Sequence, residues 1–268
     1  NLRGLPFEIF AFYGDLFSPC HPLQALYALS VYFSKVLYHF GFKKFGTFPP
    51  SLVALVLCRV YRPNVLIAEF GFHAIRMMNA ATWSGIPLVV QFHGSDAFAN
   101  RRTTPDLLER YRRLFKLASR VIVKSEPMRD QLLRFGASPG QLVISPCGAD
   151  PSLFYGGCPG DASPLFIAVG RFVPKKAPLL TIRAFAESCS LLPKDLAREL
   201  RLVMVGDGPL LSASRSLVCE LNLESQITFL GLCSPAEVAE LMRTGRAFVQ
   251  HSMVAPDGDS EGSPVSIV

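Results

Sequence analysis

Short apolar runs alternate with amphipathic stretches along most of this chain. Residues 7–13 form an apolar run that predicts a strand, and a turn bearing Asp and Pro follows. Residues 23–40 then read as a helix rich in Leu, Tyr and Phe, and residues 51–60 as a second helix. From there the alternation becomes regular. Short apolar strands are expected at 65–70, 87–92, 120–124 and 142–145, with helices at 73–83, after Thr104 and at 125–135. Thr104-Pro105-Asp106 starts a helix with a cap-type residue followed by Pro in the first turn. In that helix Leu107, Leu108, Tyr111, Leu114 and Phe115 share an apolar face, while Arg110, Arg112 and Arg113 share the other. Ser125 caps the next helix and Gly136 ends it.

The turn-rich stretch 150–164, centred on Gly156-Gly157-Cys158-Pro159-Gly160, interrupts this rhythm and marks a domain boundary. The alternation then restarts, with strands at 165–169, 202–205, 226–230 and 247–250 and helices from Pro178, after Pro209 and at 235–242. Strands that alternate with helices imply parallel sheets whose ligands bind beyond the strand C-termini. The expected fold is therefore α/β, with two Rossmann-like, doubly wound domains, residues 1–157 and 158–268, facing each other across a cleft.

Composition narrows the function without naming it. A chain of 268 residues, half of them apolar and 18% charged, is long enough for two cores and too hydrophobic for disorder. The formal charge of +6 and the pI near 9.0 fit nucleic acid, an anionic membrane surface or an anionic ligand. No zinc-finger, RNP or helix-turn-helix pattern accompanies the charge, so nucleic acid is the weakest of the three. Seven scattered cysteines without a CxxC pair indicate a reducing cytoplasm rather than a disulfide framework or a zinc site. The longest apolar stretches are interrupted by Lys35 and His39 or are too short to span a bilayer. Residues 23–44, with Lys35, Lys43 and Lys44, fit either a buried core helix or a basic aromatic helix resting among lipid headgroups.

Candidate chemistry gathers at the ends of strands. Arg171 and Lys176 follow the strand at 165–169, where a guanidinium and an ammonium can hold neighbouring phosphate oxygens. Asp257-Gly258-Asp259-Ser260-Glu261-Gly262-Ser263-Pro264 is an acidic, Gly-rich loop running into an apolar segment that reads as a helix start. Such a loop brings the Glu261 carboxylate and the amides of Gly262 and Ser263 toward one spot, suited to a polyhydroxylated anion. Gly206-Asp207-Gly208 is a turn that admits close approach of backbone to a ligand. In the earlier half, His93-Gly94-Ser95-Asp96 places a titratable ring and a carboxylate at another strand end. Asp257-x-Asp259 also has the form of a Mg²⁺ or Mn²⁺ ligand pair, but Arg171 and Lys176 already offer positive charge, so no metal is expected.

Taken jointly, Gly170-Arg171…Lys175-Lys176, Val205-Gly206-Asp207-Gly208-Pro209, Phe229-Leu230-Gly231 and the loop 257–264 resemble the retaining GT-B glycosyltransferases of family 4. Residues 90–96 and the segment from Ser125 to Cys147-Gly148-Ala149-Asp150 are similar to that family's acceptor-domain motifs, and the acidic loop resembles its exopolysaccharide and colanic-acid branch. The resemblance implies a hexosyltransferase with a nucleoside-diphosphate sugar as co-substrate, no other cofactor, and a glycan or lipid-linked acceptor at the cytoplasmic side of a membrane. It implies that Arg171 and Lys176 hold the diphosphate, that Glu261 holds sugar hydroxyls, and that His93 sits near the anomeric carbon. Gly170, Gly206, Gly208, Gly231, Gly262, Ser263 and Pro264 would line the donor, and Gly94, Ser95 and Asp96 the acceptor side. Two rival readings are a sugar-nucleotide-binding module without turnover and a nucleotide-sugar epimerase of the same fold. The chain departs from the family at Glu69, near a position often held by His. The second carboxylate of the family's Glu-x7-Glu pair falls one residue past Val268, so an internal piece of a longer enzyme is implied.

Overall fold

A computed structural model describes residues 22–40, 48–100 and 103–267. The strand expected at residues 7–13, together with Lys43 and Lys44, lies outside the described residues. The chain forms two compact units. One comprises residues 1–97 and 102–145, and the other 98–101 and 146–268, so a four-residue segment joins the later unit out of sequence order.

The first unit begins with helices α1 (Pro22–His39) and α2 (Phe48–Tyr61), which pack against each other. Three strand–helix steps and a last strand follow: β1 (Leu66–Glu69), α3 (Gly71–Ser84), β2 (Leu88–Gln91), the single turn α4 (Gly94–Ala97), α5 (Pro105–Leu117), β3 (Arg120–Val123), α6 (Glu126–Phe135) and β4 (Leu142–Ile144). All pairings in the sheet β1-β2-β3-β4 are parallel. The inner strands β2 and β3 bury Leu88, Val90, Val121 and Val123, whereas the edge strands β1 and β4 leave Ile67 and Val143 exposed among the described residues. The buried core holds Val90, Phe92, Tyr111, Leu114, Val121 and Met128. Phe92 meets Tyr111 edge to face, with ring centroids 5.2 Å apart. Gly71, at the start of α3, has no room for a side chain, because a Cβ there would collide with the Phe92 ring.

The second unit contains β5 (Leu165–Val169), α7 (Pro178–Leu191), α8 (Lys194–Glu199), β6 (Arg201–Val205), α9 (Leu211–Glu220), β7 (Ile227–Gly231), α10 (Pro235–Thr244) and β8 (Ala247–Phe248). Its sheet is also parallel, in the order β7-β6-β5-β8. Phe172, Ile182, Leu202, Met204, Leu217 and Ile227 form its core. Ser234 caps α10 by accepting from the Glu237 amide while the Glu237 side chain accepts from the Ser234 amide.

Two expectations need correction. The helix start expected after Pro264 is a single 3-10 turn, Val265–Ile267, among the described residues, so no helix dipole points at the acidic loop. The last strand is two residues long rather than four, because its pairing with β5 ends at Phe248.

Candidate functional site

In the second unit, the chain leaves β5 through Gly170 and Arg171 and makes a 3-10 turn at Pro174–Lys176. Ala177 then takes a left-handed conformation, φ 45°, to start α7. This turn is stitched to the acidic loop. The Met253 amide donates to the Lys175 carbonyl at 3.0 Å. Lys175 Nζ lies 3.2 Å from Asp259 Oδ2 and 3.8 Å from Glu261 Oε1, and Lys176 Nζ lies 3.4 Å from Glu261 Oε2. Two ammoniums and two carboxylates thus balance in one largely buried cluster. Burial pushes the Lys176 ammonium below its usual value, and the Glu261 carboxylate opposes that fall. Glu261 Oε1 is buried without a hydrogen-bond partner. Its hydrogen-bonding capacity is unused, and the Lys175 ammonium lies 3.8 Å from it.

The loop is closed on itself and anchored at both ends. The Ala255 amide donates to the Asp259 carbonyl, the Asp259 amide to Asp257 Oδ1, and the Asn100 amide to the Asp257 carbonyl at 2.8 Å. Asn100 arrives on the segment 98–101, and its side chain occupies the space a Cβ on Gly258 would need. Beyond Glu261 the chain continues through Gly262, Ser263 and Pro264, and Ser266 Oγ donates to Gln250 Oε1 at 2.6 Å. Gly170, Arg171, Lys176, Gln250 and His251 line a small pocket of about 30 Å³ at the C-terminal ends of β5 and β8. Arg171 is exposed at this place. Of the two acids in Asp257-x-Asp259, Asp259 is held by Lys175, while Asp257 Oδ1 accepts from the Asp259 amide.

The glycine turn after β6 packs closely against the turn that follows β5. Gly206 has φ 133°, and a Cβ there would run into the Gly170 carbonyl; Gly208 has φ 153°, and a Cβ there would meet the Phe172 carbonyl. The Phe172 amide donates to the Asp207 carbonyl, and the Leu210 amide to the Phe172 carbonyl. These glycines let two backbone turns lie against each other, which seats Arg171 and the 3-10 turn. Gly231 has φ 73° and open space around it, and its carbonyl accepts from the Gly206 amide.

In the first unit, His93 follows β2 and its Nε2 lies 2.7 Å from Glu69 Oε2 at the end of β1. Gln91 Nε2 donates to the same carboxylate at 3.0 Å. The Phe70 ring lies against the imidazole with centroids 4.3 Å apart. Phe70 has φ 71°, a conformation a bulky residue adopts only under local constraint. Gly94 and Ser95 start the short α4, and Asp96 beside them is fully buried. Its two oxygens accept from the amides of Gly71 at 2.7 Å and His93 at 3.0 Å. Burial raises its carboxyl to about 6, with the two amides pulling the other way. Asp96 therefore ties β2 to the start of α3 and leaves the exposed chemistry to His93 and Glu69.

Sequence reasoning had Glu69 only as a departure and Lys175 only as part of a motif. Neither pairing leaves a trace in local spacing, since Lys175 and Asp259 stand 84 positions apart. The one available signal was register: Glu69 is the cross-strand partner of Gln91, two residues before His93.

The family model Glycosyltransferase Family 4 matches residues 13–153, and the model Glycosyl transferases group 1 matches residues 159–268. The chain is 26% identical over 237 residues to the putative colanic acid biosynthesis glycosyltransferase WcaL of Salmonella typhimurium, covering 85% of this chain and 57% of that protein. It is 25% identical over 225 residues to the amylovoran biosynthesis glycosyltransferase AmsK of Erwinia amylovora, covering 82% of this chain and 53% of that one. The chain thus spans a little over half the length of these curated relatives. Among solved structures, Anabaena Alr3699/HepE in complex with UDP matches with a TM-score of 0.64 and 19% identity, covering 80% of this chain and 59% of that one. Sucrose-phosphate synthase from Thermosynechococcus elongatus matches with a TM-score of 0.58 and 20% identity, covering 79% of this chain and 56% of that one. At these identities the structural likeness concerns the fold, which is the pair of Rossmann-like domains called GT-B.

Proposed function

This chain belongs to Glycosyltransferase Family 4, and on that premise we propose that it transfers a hexosyl group, with retention, from a nucleoside-diphosphate sugar to a glycan or lipid-linked acceptor. The setting we infer is bacterial exopolysaccharide assembly at the cytoplasmic face of a membrane, in line with the roles that the names of WcaL and AmsK state for those proteins. UDP in the Anabaena protein makes a uridine donor the first to test. The observation that carries the reading is the Lys176–Glu261 pair, with Glu261 Oε1 buried and unbonded beside the Arg171-bearing turn.

In this scheme Arg171 and Lys176 receive the diphosphate, and Glu261 accepts from a hydroxyl of the sugar. As the bond between anomeric carbon and phosphate oxygen breaks, both bonding electrons leave with the diphosphate. The two cations stabilise that charge, which is where such groups contribute most to a rate. The acceptor oxygen attacks the same face, and its proton passes to the departing phosphate oxygen. That route retains configuration and needs no protein nucleophile. Because ammonium and guanidinium supply the neutralising charge, the scheme has no role for a metal ion.

The test uses the protein with a panel of UDP-, GDP- and ADP-sugars and lipid-linked acceptors, with and without a chelator. We expect Arg171→Ala to lower kcat/KM by roughly 10²-fold or more and chelation to leave the rate unchanged. Transfer by the variant at the parent rate would remove Arg171 from the scheme. An altered nucleotide sugar released without acceptor would identify an epimerase instead.

A further inference from the structure

Helices α1 and α2 are apolar on two sides. One side is accounted for: Val31, Ala54 and Leu57 are buried together with Ala80 of α3. The other is not covered by any described residue. On α1, Leu29, Tyr32 and Phe33 are 55%, 60% and 54% exposed. On α2, Leu52, Val56 and Val60 repeat every fourth residue, which puts them in one stripe, and they are 47%, 45% and 58% exposed. A helix apolar on both sides ordinarily lies within a core or against another apolar phase.

Charge says which phase. Between Asp15 and Glu69 the chain carries Lys35, Lys43, Lys44, Arg59 and Arg62 and no Asp or Glu, so this stretch holds five of the six net positive charges of the whole molecule. A protein partner would be met by a polar rim, with no reason to exclude one sign of charge. A layer of phosphate headgroups repels carboxylates and attracts Lys and Arg within a Debye length. Arg59 is itself exposed next to Val60. No helix among the described residues is long and apolar enough to cross a membrane, so this face would lie in the headgroup layer.

We propose that the exposed face of α1 and α2 docks on a lipid bilayer bearing anionic headgroups. The proposal deepens the membrane-side setting given above and rests on it. The docked face brings the first unit to the surface where a lipid-linked acceptor resides.

The full chain, without sugar nucleotide, is floated with vesicles of phosphatidylcholine alone and of phosphatidylcholine with phosphatidylglycerol, at low and at high salt. The expected result is flotation with the mixed vesicles at low salt, at least about tenfold weaker with neutral vesicles or at high salt. The combined exposed-site variant Leu29→Ser, Phe33→Ser, Val56→Ser should lose it, and Arg59→Glu should weaken it. Far-UV circular dichroism and thermal melting check that both variants are folded, and calorimetric titration with UDP reads the second unit's pocket, which neither variant touches. Three results would overturn the proposal: no flotation with anionic vesicles, equal flotation with both vesicle types, or undiminished flotation of the triple variant. A concentration-dependent dimer that the triple variant abolishes, without flotation, would assign the face to a second copy instead. UDP binding and vesicle binding are read separately, so loss of the donor reading leaves the membrane result standing, and the reverse.

Discussion

Lys175 bridges two carboxylates from a loop 84 positions away, and its side chain is only 11% exposed. A buried ammonium between two acids is stabilised only while both remain in place, because removing one partner leaves an uncompensated charge. Lys175 thereby acts as a positioning residue for Glu261: it holds Asp259 and the Met253 amide, and with them the course of the chain into Glu261. Lys175→Met is expected to raise the donor KM by about tenfold or more while kcat changes less, since the loop would sample other positions before substrate fixes it. Asp259→Asn should do the same, and the double variant should be no worse than either alone, because a shared contact can be lost only once. Steady-state kinetics of the three variants checks this; additive losses would mean the two side chains act separately. Arg171, Lys176 and Glu261 each stand out in the sequence because they follow a strand or a glycine-rich turn, and of these Lys176 and Glu261 are paired. Lys175 was hidden, since a lysine beside another lysine looks like ordinary solvated charge until its burial is known.

At the level of elements, the turn after β6 and the clamp between β2 and α3 show what sequence conveys and what it omits. Strands and helices were visible as apolar periods, and most edges agree to within a few residues. The omissions are elements made by packing. The one-and-a-half-turn α8 follows Pro193 without an apolar period of its own. The 3-10 turn after Pro264 stands where a helix start was expected. The position of Asp96 at a strand end is visible in the sequence, whereas its burial is not. Its carboxyl sits near 6 instead of 3.8, so ionising it inside the fold costs about 3 kcal/mol more than in the unfolded chain. The unfolded chain releases this proton first, so the contribution to stability is fullest below pH 4, falls as pH rises to about 6, and is level above that. Asp96→Asn keeps one acceptor and strands one of the two amides, at a loss of about 1–3 kcal/mol. Denaturant titrations should therefore find the variant less stable at pH 4, with the gap narrowing by up to about 3 kcal/mol by pH 7. A gap independent of pH would mean Asp96 does not change charge between the two states.

For the molecule as a whole, the two units carry different chemistry. The second holds the paired cations and acids, and the first holds the Glu69–His93 pair and the uncovered face of α1 and α2. A ligand that binds only the folded form adds stability of about 2.7 kcal/mol at a hundredfold excess over its Kd. UDP is expected to slow hydrogen exchange around residues 165–176 and 250–263 and to leave β3 and α5 unchanged. Peptide-resolved exchange with and without UDP measures this directly. Protection confined to the first unit would place the nucleotide in the wrong half.

The four residues 98–101 belong to the later unit although the chain on either side of them belongs to the earlier one. Through Asn100 they supply a main-chain donor to the acidic loop and fill the space above Gly258. Dissecting the gene after Ser145 would therefore produce a carboxyl-terminal half that lacks one of its own fastenings. Supplying the amino-terminal half as a separate polypeptide would be the way to give it back.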